Sequence, residues 1–463
     1  MAQSEKVLII GLDSADPHLV FERWRDDLPN LRRLAENGLW GRLESCIPPL
    51  TVPAWTCMAA GKDPGALGVY GLRTRRDWSY EDLGLATNIE VRQPRLWDHV
   101  ARAGLPTITI GVPQTFPIVR RPRGCLITCF LTPSTRSPYT YPPELADELA
   151  RLVGDYLLDV ADFRTPDKPG LLKQIQRLGQ QRFTVCRHLL RTRPWSLLWM
   201  VEMGVDRIQH GFWRYMDERH PRHEPHSPFA DAIRQYYRLI DEQIGGLLDE
   251  VDRRQTAIWV VSDHGAQCLE GAFCINDWLL REGLLALNET PTSVQRFELA
   301  NVDWSRTRAW ADGGYTGQIF INRAGREPRG IVTEEEYELL RDALASKLTT
   351  MCDPRGRPLR TQVYKPEEIY SEVNGCPPDL IVHCAELRRR CVGSVGHEQL
   401  FTSDDEGRPD DANHTMQGMY ILAHPALPRR RQDASLYDVA PTTLQLLGLG
   451  VPRGLRGRSL LGR

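Results

Sequence analysis

A series of short, continuous apolar runs constrains the fold of this chain most strongly. Each run is four to six residues long, rich in Val, Ile or Leu, and does not alternate with polar residues. Strands that are buried on both faces of a mainly parallel sheet have this pattern. The predicted strands are residues 7–10, 107–110, 196–201, 257–261, 379–382 and 419–423.

Helical patterns lie between the apolar runs. In the clearest of them, apolar residues recur at steps of three and four, which is typical of an amphipathic helix: Ile233, Tyr237, Ile240, Ile244, Leu247, Leu248 and Val251. Strands that alternate with helices favour helices on both faces of the sheet. We therefore expect an α/β fold, a three-layer α/β/α sandwich with a mainly parallel central sheet.

The length of 463 residues is large for one compact core. Two segments break the alternation of strands and helices, at about 116–193 and about 274–372. The second contains a hairpin-like stretch at 315–322 and a helical pattern at 334–348. We expect a single catalytic domain over residues 1–463, with the two segments as insertions that form a cap or lid.

Composition excludes several classes of partner. The formal net charge of -2 gives no electrostatic basis for binding nucleic acid or an anionic membrane. No apolar stretch approaches the roughly 18 residues that a membrane span needs, and we do not expect the short N-terminal apolar run to act as a signal peptide. The eleven cysteines contain no CxxC pair, so we expect reduced thiols and a cytoplasmic location.

Acidic and imidazole side chains follow the predicted strands directly. Asp13 comes just after the first strand, and Asp263 with His264 comes just after the strand at 257–261. Open α/β sheets bind ligands beyond the carboxyl ends of their strands. A single Asp-His pair at such a place is usually a cap or a turn, so the argument depends on several of these residues meeting at one edge.

Three further residues extend this set. Asp206 follows the strand at 196–201, and His210 comes four residues later, so both lie on one face if a helix begins there. His414 lies just before the strand at 419–423. Three Asp and three His are too many for one catalytic zinc, but they suit two divalent ions about 3.5–4 Å apart. Such ligands favour zinc, manganese or iron over calcium.

Thr51 is the candidate nucleophile. It lies in PPLTVPAW, where Pro48, Pro49 and Pro53 restrict the backbone, and the following residues are expected to begin a helix. A threonine hydroxyl needs a metal or a base to become nucleophilic. The first amides of a helix favour a bound anion, which suits a phosphate held opposite Thr51.

These motifs resemble the type I phosphodiesterase/nucleotide pyrophosphatase branch of the alkaline phosphatase superfamily, and more closely its predicted phosphohydrolase or phosphomutase proteins. The similar segments cover nearly the whole chain in the same order: IIGLDSADP, PPLTVPAWTCMAAGKDPGALGVYG, VEMGVDRIQHGFWRY, VVSDHGA, NHTMQG and LYDVAPTTLQLLGLGVPRGLRGRSL. The resemblance implies an alkaline phosphatase-like fold and a metal-dependent hydrolase of phosphate esters.

The resemblance also implies a role for each residue. Asp13, Thr51, Asp263 and His264 match the ligands of one metal, with Thr51 as the attacking group. Asp206, His210 and His414 match the ligands of the other metal, which activates the water that hydrolyses a phospho-threonine intermediate.

Two departures from the family pattern concern the phosphate and the first metal. Family nucleotide pyrophosphatases carry Asn three residues after the nucleophile, and this chain has Ala54 there, so a backbone amide is expected to stabilise the phosphate oxygen instead. The first metal motif ends in Ser14 rather than Gly. Candidate contacts to substrate phosphate are Lys62, Arg73, Arg136 and Arg207.

The leading hypothesis is a hydrolase of a small phosphate diester, pyrophosphate or activated monoester. A phosphotransferase or phosphomutase is the first alternative, and a catalytically silent binding protein is the second. A sulfatase is disfavoured because those relatives use a modified Cys or Ser. The sequence leaves open the substrate, the identity of the metal, the oligomeric state and the pathway.

Overall fold

The structure, a computed structural model, describes residues 4–81, 83–403 and 410–462. Its strands, in chain order, are β1 (Lys6–Leu12), β2 (Gly38–Glu44), β3 (Arg73–Thr74), β4 (Gly84–Leu85), β5 (Thr107–Ile110), β6 (Gly124–Ile127), β7 (Thr140–Tyr141), β8 (Leu197–Glu202), β9 (Thr256–Val261), β10 (Gly265–Cys268), β11 (Ala272–Cys274), β12 (Ala309–Asp312), β13 (Gly317–Ile321), β14 (Gln362–Tyr364), β15 (Leu380–His383), β16 (Arg390–Val392), β17 (Phe401–Thr402), β18 (Ala412–Thr415), β19 (Gln417–Ala423), β20 (Arg430–Arg431) and β21 (Ala434–Ser435).

The α-helices, in chain order, are α1 (Pro29–Glu36), α2 (Thr51–Ala60), α3 (Pro64–Leu67), α4 (Leu96–Arg102), α5 (Leu145–Val153), α6 (Lys168–Thr192), α7 (Gly204–Met216), α8 (Ala232–Leu248), α9 (Ile275–Arg281), α10 (Glu334–Thr349), α11 (Pro366–Ile369) and α12 (Val439–Leu446). Two groups of helices pack together: α1, α6, α7 and α8 form one, and α2, α4 and α12 form the other. The groups cover the two sides of the central sheet, which confirms the predicted α/β/α sandwich.

A ten-stranded sheet forms the centre of the molecule. Its order is β20-β2-β19-β9-β1-β8-β5-β6-β7, with β21 also paired to β2. The five strands from β9 to β6 are mutually parallel, whereas β19 runs antiparallel to β9 and β2. The strands predicted at 7–10, 107–110, 196–201, 257–261 and 419–423 all lie in this sheet.

A second hydrophobic core accounts for one wrong prediction. Residues 379–382 do form a buried strand, but β15 belongs to the antiparallel sheet β12-β13-β15-β14 rather than to the central sheet. This sheet is covered on both faces, by α10 among others, so its strand has the same apolar sequence as a parallel one. The hairpin-like stretch predicted at 315–322 contains only β13, because its antiparallel partner β12 lies before that range. The predicted helix is present as α10.

The segment at 116–193 contributes to the first core. It supplies β6 and β7 to the central sheet, and its long helix α6 packs against α7 and α8. The segment at 274–372 holds most of the second core. That either segment acts as a cap or lid stays a prediction. Within the described residues, no helix is both long and apolar enough to cross a bilayer.

Candidate active site

The order of the central strands brings the predicted site residues together. Strand β1 lies between β8 and β9, all three are parallel, and Gly11 of β1 is in register with Val201 and Val261. The residues that follow these strands therefore meet at one edge of the sheet. Strand β19 is antiparallel to β9, so its start, which follows His414, lies at the same edge.

The first cluster consists of Asp13, Asp263, His264 and Thr51. Each of the first three offers a ligand atom within 4.8 Å of the others, and all three are fully buried. His264 Nε2 lies 3.1 Å from Asp263 Oδ2. The Thr51 hydroxyl lies 3.4 Å from both Asp13 Oδ1 and His264 Nε2. Thr51 therefore faces the same small volume as the three ligand atoms.

The second cluster consists of Asp206, His210 and His414. Helix α7 begins at Gly204, so Asp206 and His210 lie one turn apart on one face, as predicted. His210 Nε2 lies 3.2 Å from Asp206 Oδ1 and 3.2 Å from His414 Nε2. The Nδ1 atom of His414 is 2.8 Å from the Pro49 carbonyl oxygen, which leaves Nε2 directed toward the cluster.

The two clusters suit divalent cations. Asp206 Oδ1 and Asp263 Oδ2 are buried, and apart from the nitrogens of His210 and His264 described above, neither has a hydrogen-bond partner among the described residues. Burial, reinforced by Asp263 and Asp206, raises the pKa of Asp13 well above its usual range. Burial also raises the pKa of Asp263. Carboxylates that are buried, crowded and partly unpaired become stable when a cation joins them, so the residues fit a metal in each cluster.

In the second cluster, unlike the first, positively charged side chains lie beside the carboxylate. Burial would raise the pKa of Asp206, but the positive charges of His210 and Arg207 outweigh it and lower that pKa. For His210, burial is outweighed by Asp206 and Asp410, which raise its pKa to about 10. Without a metal, protons on His210 therefore occupy the place that a cation would take.

Two backbone features position the carboxylates of Asp13 and Asp263. A side chain at Gly11 would lie 2.6 Å from Trp55 Cη2, so glycine lets the Trp55 ring approach β1 and donate Nε1–H to Asp13 Oδ2 at 2.6 Å. Ser14 has a φ of 64°, in the left-handed region that favours glycine. The Ser14 amide donates to Asp263 Oδ1 at 3.1 Å, so this backbone conformation positions a candidate ligand.

Helix α2 begins at Thr51 itself and offers an anion site. Leu50 and Ala54 are joined by the first helical hydrogen bond, and Pro53 has no amide hydrogen. Within the described residues, the amides of Thr51 and Val52 have no hydrogen-bond acceptor. Both residues line the adjacent cavity, so these amides and the helix dipole can hold a phosphate beside Oγ1 of Thr51.

A cavity of about 450 Å³ opens beside Thr51. Thr51, Asp206 and His414 lie at its base, and the hairpin residues 312–316 of the second core form part of its wall. The wall also includes two phenylalanines and four arginines: Phe130, Phe163, Arg73, Arg164, Arg207 and Arg390. Pockets for small ligands commonly have volumes of roughly 300–1,000 Å³.

The candidate phosphate contacts are distributed unevenly. Arg73 lies on the cavity wall and is exposed. Arg207 also lines the cavity, but its guanidinium bonds to Asp159 and Asp206, at 2.7 Å to Asp159 Oδ2. Lys62 follows the far end of α2, about 15 Å along the helix from Thr51. Arg136 is an exposed loop residue, and neither it nor Lys62 lines the cavity.

Three residues at the site were not predicted from the sequence. Asp410 is fully buried, and its Oδ1 lies 2.7 Å from His210 Nδ1. Its Oδ2 accepts from Tyr315 at 2.8 Å and from Arg164 at 2.9 Å. Only the position of Asp410, four residues before His414, gave a signal in the sequence. Tyr315 and Arg164 come from distant segments and carry no recognisable motif.

The comparison with family models identifies the class of protein. The model of the type I phosphodiesterase/nucleotide pyrophosphatase family matches residues 7–401. The chain belongs to this family, a branch of the alkaline phosphatase superfamily. A search of curated protein sequences found no match.

Solved structures share the fold. Phosphonoacetate hydrolase from Sinorhizobium meliloti 1021, in complex with phosphonoformate, has a TM-score of 0.61 at 15% identity, and the match covers 96% of each chain. Inactive murine ectonucleotide pyrophosphatase/phosphodiesterase 5, in complex with AMP, has a TM-score of 0.57 at 14% identity. That match covers 97% of this chain and 96% of the murine one. At this level of identity the likeness establishes the fold.

Proposed function

We propose that this protein is a two-metal hydrolase of small phosphoric esters, with Thr51 as its nucleophile. The observation that carries this proposal is the position of the Thr51 hydroxyl. It lies 3.4 Å from two candidate ligand atoms and at the base of a cavity that can admit a substrate. Membership in the phosphodiesterase family supports the reaction class.

Asp13, Thr51, Asp263 and His264 would hold one ion, and Asp206, His210 and His414 would hold the other. The donors are oxygen and nitrogen only, which suits zinc first, with manganese or iron as alternatives. Bound ions would supply positive charge that favours the ionised hydroxyl of Thr51 and stabilises the phosphate oxygens in the transition state.

The residues of the chain define the geometry of the first step. The amides of Thr51 and Val52 hold a non-bridging phosphate oxygen. In family nucleotide pyrophosphatases an asparagine has this role, and this chain has Ala54 at that position. Oγ1 of Thr51 then attacks phosphorus in line with the leaving alcohol, the P–O bond to that alcohol breaks, and the alcohol takes up a proton. Water attacks the resulting phospho-threonine on phosphorus and regenerates the hydroxyl of Thr51.

The substrate is proposed to be a small soluble ester that carries negative charge. The structurally similar proteins were solved with AMP and with phosphonoformate, which are both small anions that contain phosphorus. Among the arginines of the wall, Arg73 is exposed and is the best placed of the four predicted contacts to meet such an anion. Hairpin residues 312–316 are proposed to act as the cap over this cavity.

The cysteines support the proposed cytoplasmic location. All eleven lie in the part of the chain that the structure describes, and none of them is in a disulfide. Reducing compartments maintain that state.

The test is hydrolysis of bis-p-nitrophenyl phosphate and p-nitrophenyl phosphate by metal-free protein to which zinc or manganese is returned. We expect activity only after metal is added, and at least a 10³-fold loss in Thr51→Ala. A metal-loaded wild type that hydrolyses neither ester would favour the silent binding protein. The preferred ester distinguishes diesterase from monoesterase.

A further inference from the structure

A third group of metal-ligating side chains lies in the second core, apart from the candidate active site. Cys274, Asp277 and His397 each offer a ligand atom, and these atoms all lie within 4.8 Å of one another. Cys274 and Asp277 are buried and His397 is half-buried. We propose that these three residues bind a zinc-like divalent ion, in a site that the function proposed above does not require.

Strand topology explains why the three residues meet. Strand β11, which ends at Cys274, lies between β16 and β17 in a three-stranded sheet. Strand β16 is parallel to β11, with Val392 in register with Cys274, so the chain leaves β16 at the end where Cys274 lies. It returns as β17, antiparallel to β11. His397 lies in this connection, which crosses the end of β11 where helix α9 begins.

Asp277 fixes the position of that connection. Its Oδ1 accepts from the Gly396 amide at 2.9 Å, and its Oδ2 accepts from the His397 amide at 3.2 Å. Each carboxylate oxygen has two lone pairs, so these bonds leave capacity for a cation. The carboxylate therefore holds the backbone of His397 while lying within reach of the same ion.

A contact with the Ser394 hydroxyl orients the ring of His397. Its Nε2 lies 2.8 Å from the Ser394 hydroxyl, and histidines that bind metals generally use their second ring nitrogen in such a contact. We assign Nδ1 as the ligand atom. One thiolate, one imidazole and one carboxylate form a donor set that favours zinc over calcium or magnesium, with a fourth position for water.

The site also has a connection to the active-site cavity. Asn276, between two of the proposed ligands, donates Nδ2–H to the Ala311 carbonyl at 2.9 Å and to the Gly393 carbonyl at 2.8 Å, and it accepts from the Ala311 amide. Ala311 precedes the hairpin residues 312–316 that line the cavity. An ion here would stabilise the base of that hairpin.

Cobalt substitution provides a test that is specific for this site. Both clusters of the candidate active site contain only oxygen and nitrogen donors, so neither can give a thiolate-to-cobalt charge-transfer band in the near ultraviolet. We expect metal-free protein titrated with Co²⁺ to show the band, and Cys274→Ser to lose the band and about one bound ion per chain. Cys186→Ser, which removes a buried thiol of α6, is the matched control and should retain both.

Two further variants keep the test decisive. If circular dichroism shows that Cys274→Ser is not folded, two other variants serve in its place. His397→Asn and Asp277→Asn should each weaken the band while leaving the thiol in place. A wild type without the band at saturating Co²⁺, or a band that persists unchanged in the folded variants, would overturn the proposal. Ester hydrolysis in the same samples keeps this outcome separate from that of the proposed function.

Discussion

The imidazole rings of His264 and His414 stack with their centroids 3.7 Å apart and their planes 18° apart. These rings belong to different candidate metal clusters, so a stacked pair of imidazole rings connects the two clusters. The arrangement fixes the spacing of the clusters through side chains that are fully buried. It also leaves Thr51 beside the ring of His264 and the cavity beside the ring of His414.

Replacing Asp263 with a neutral residue should stabilise the metal-free protein while removing a candidate metal ligand. Burial raises the pKa of this carboxyl, so at neutral pH its charge opposes folding when no metal is present. We expect metal-free Asp263→Asn to be more stable than metal-free wild type by about 1–3 kcal/mol. Differential scanning calorimetry in chelator, and again with zinc, would measure this.

In the presence of zinc, wild type should be more stable than Asp263→Asn, because only wild type gains the free energy of binding both ions. A variant that is less stable than wild type in chelator would show that Asp263 serves the fold rather than a cation.

Asp410 should act as a positioning residue for His210. The contact of 2.7 Å to His210 Nδ1 directs the other nitrogen toward Asp206 and His414. We expect Asp410→Asn to weaken zinc affinity by about 10–100-fold in a competition titration. Asp411→Asn is the matched control, since Asp411 is equally buried but bonds to Arg214. Equal loss of affinity in both variants would indicate a general structural effect.

The backbone at Ser14 gives a third prediction. A residue with a φ of 64° is strained unless it is glycine, and a β-branched side chain is strained most. We expect Ser14→Gly to retain ester hydrolysis, whereas Ser14→Val should lose about 1–3 kcal/mol of stability and bind metal more weakly. Urea unfolding and metal content would check both. Equal behaviour of the two variants would contradict this role of the backbone.

A buried histidine of the second core should make stability sensitive to acid. Burial lowers the pKa of His383 to about 3, and neither ring nitrogen has a hydrogen-bond partner within the described residues. The unfolded chain has a pKa near 6.5, so it binds the proton more readily than the folded chain does. The contribution of His383 is therefore full above about pH 6.5 and is lost as the pH falls toward 3.

The expected loss is about 1.4 kcal/mol for each pH unit below about 6. We expect His383→Leu to lose less stability than wild type between pH 7.5 and pH 5 in urea unfolding. Taking the difference between the two proteins removes the contribution of carboxyl groups that titrate in both. Identical slopes would contradict the burial of a neutral imidazole.

The sequence predicted the site residues that directly follow individual strands. Asp13 and Asp263 follow strands whose apolar runs have no polar face, and the carboxyl ends of parallel neighbours meet by geometry. The apolar run at 379–382 predicts a strand of the central sheet, which is wrong, because such a run shows burial on both faces but not the direction of the neighbouring strands. The glycine-like conformation of Ser14 appeared in the sequence only as a departure from the family pattern.

Contacts between distant segments could not be predicted in the same way. Tyr315 reaches Asp410 only because the hairpin of the second core folds over the first. For Lys62 and Arg136 the only signal in the sequence is their charge, and charge alone does not show which way a side chain points. Arg207 does line the cavity, but Asp159 and Asp206 engage its guanidinium, which no spacing in the sequence reveals.

The stereochemical course at phosphorus tests the central claim most directly. Hydrolysis of a p-nitrophenyl phosphorothioate diester of known configuration, in water labelled with ¹⁸O, gives a chiral product whose configuration can be assigned. Attack by Thr51 followed by attack by water inverts phosphorus twice, so this account predicts net retention. Net inversion would mean that water displaces the leaving group in one step, and that Thr51 is not the nucleophile.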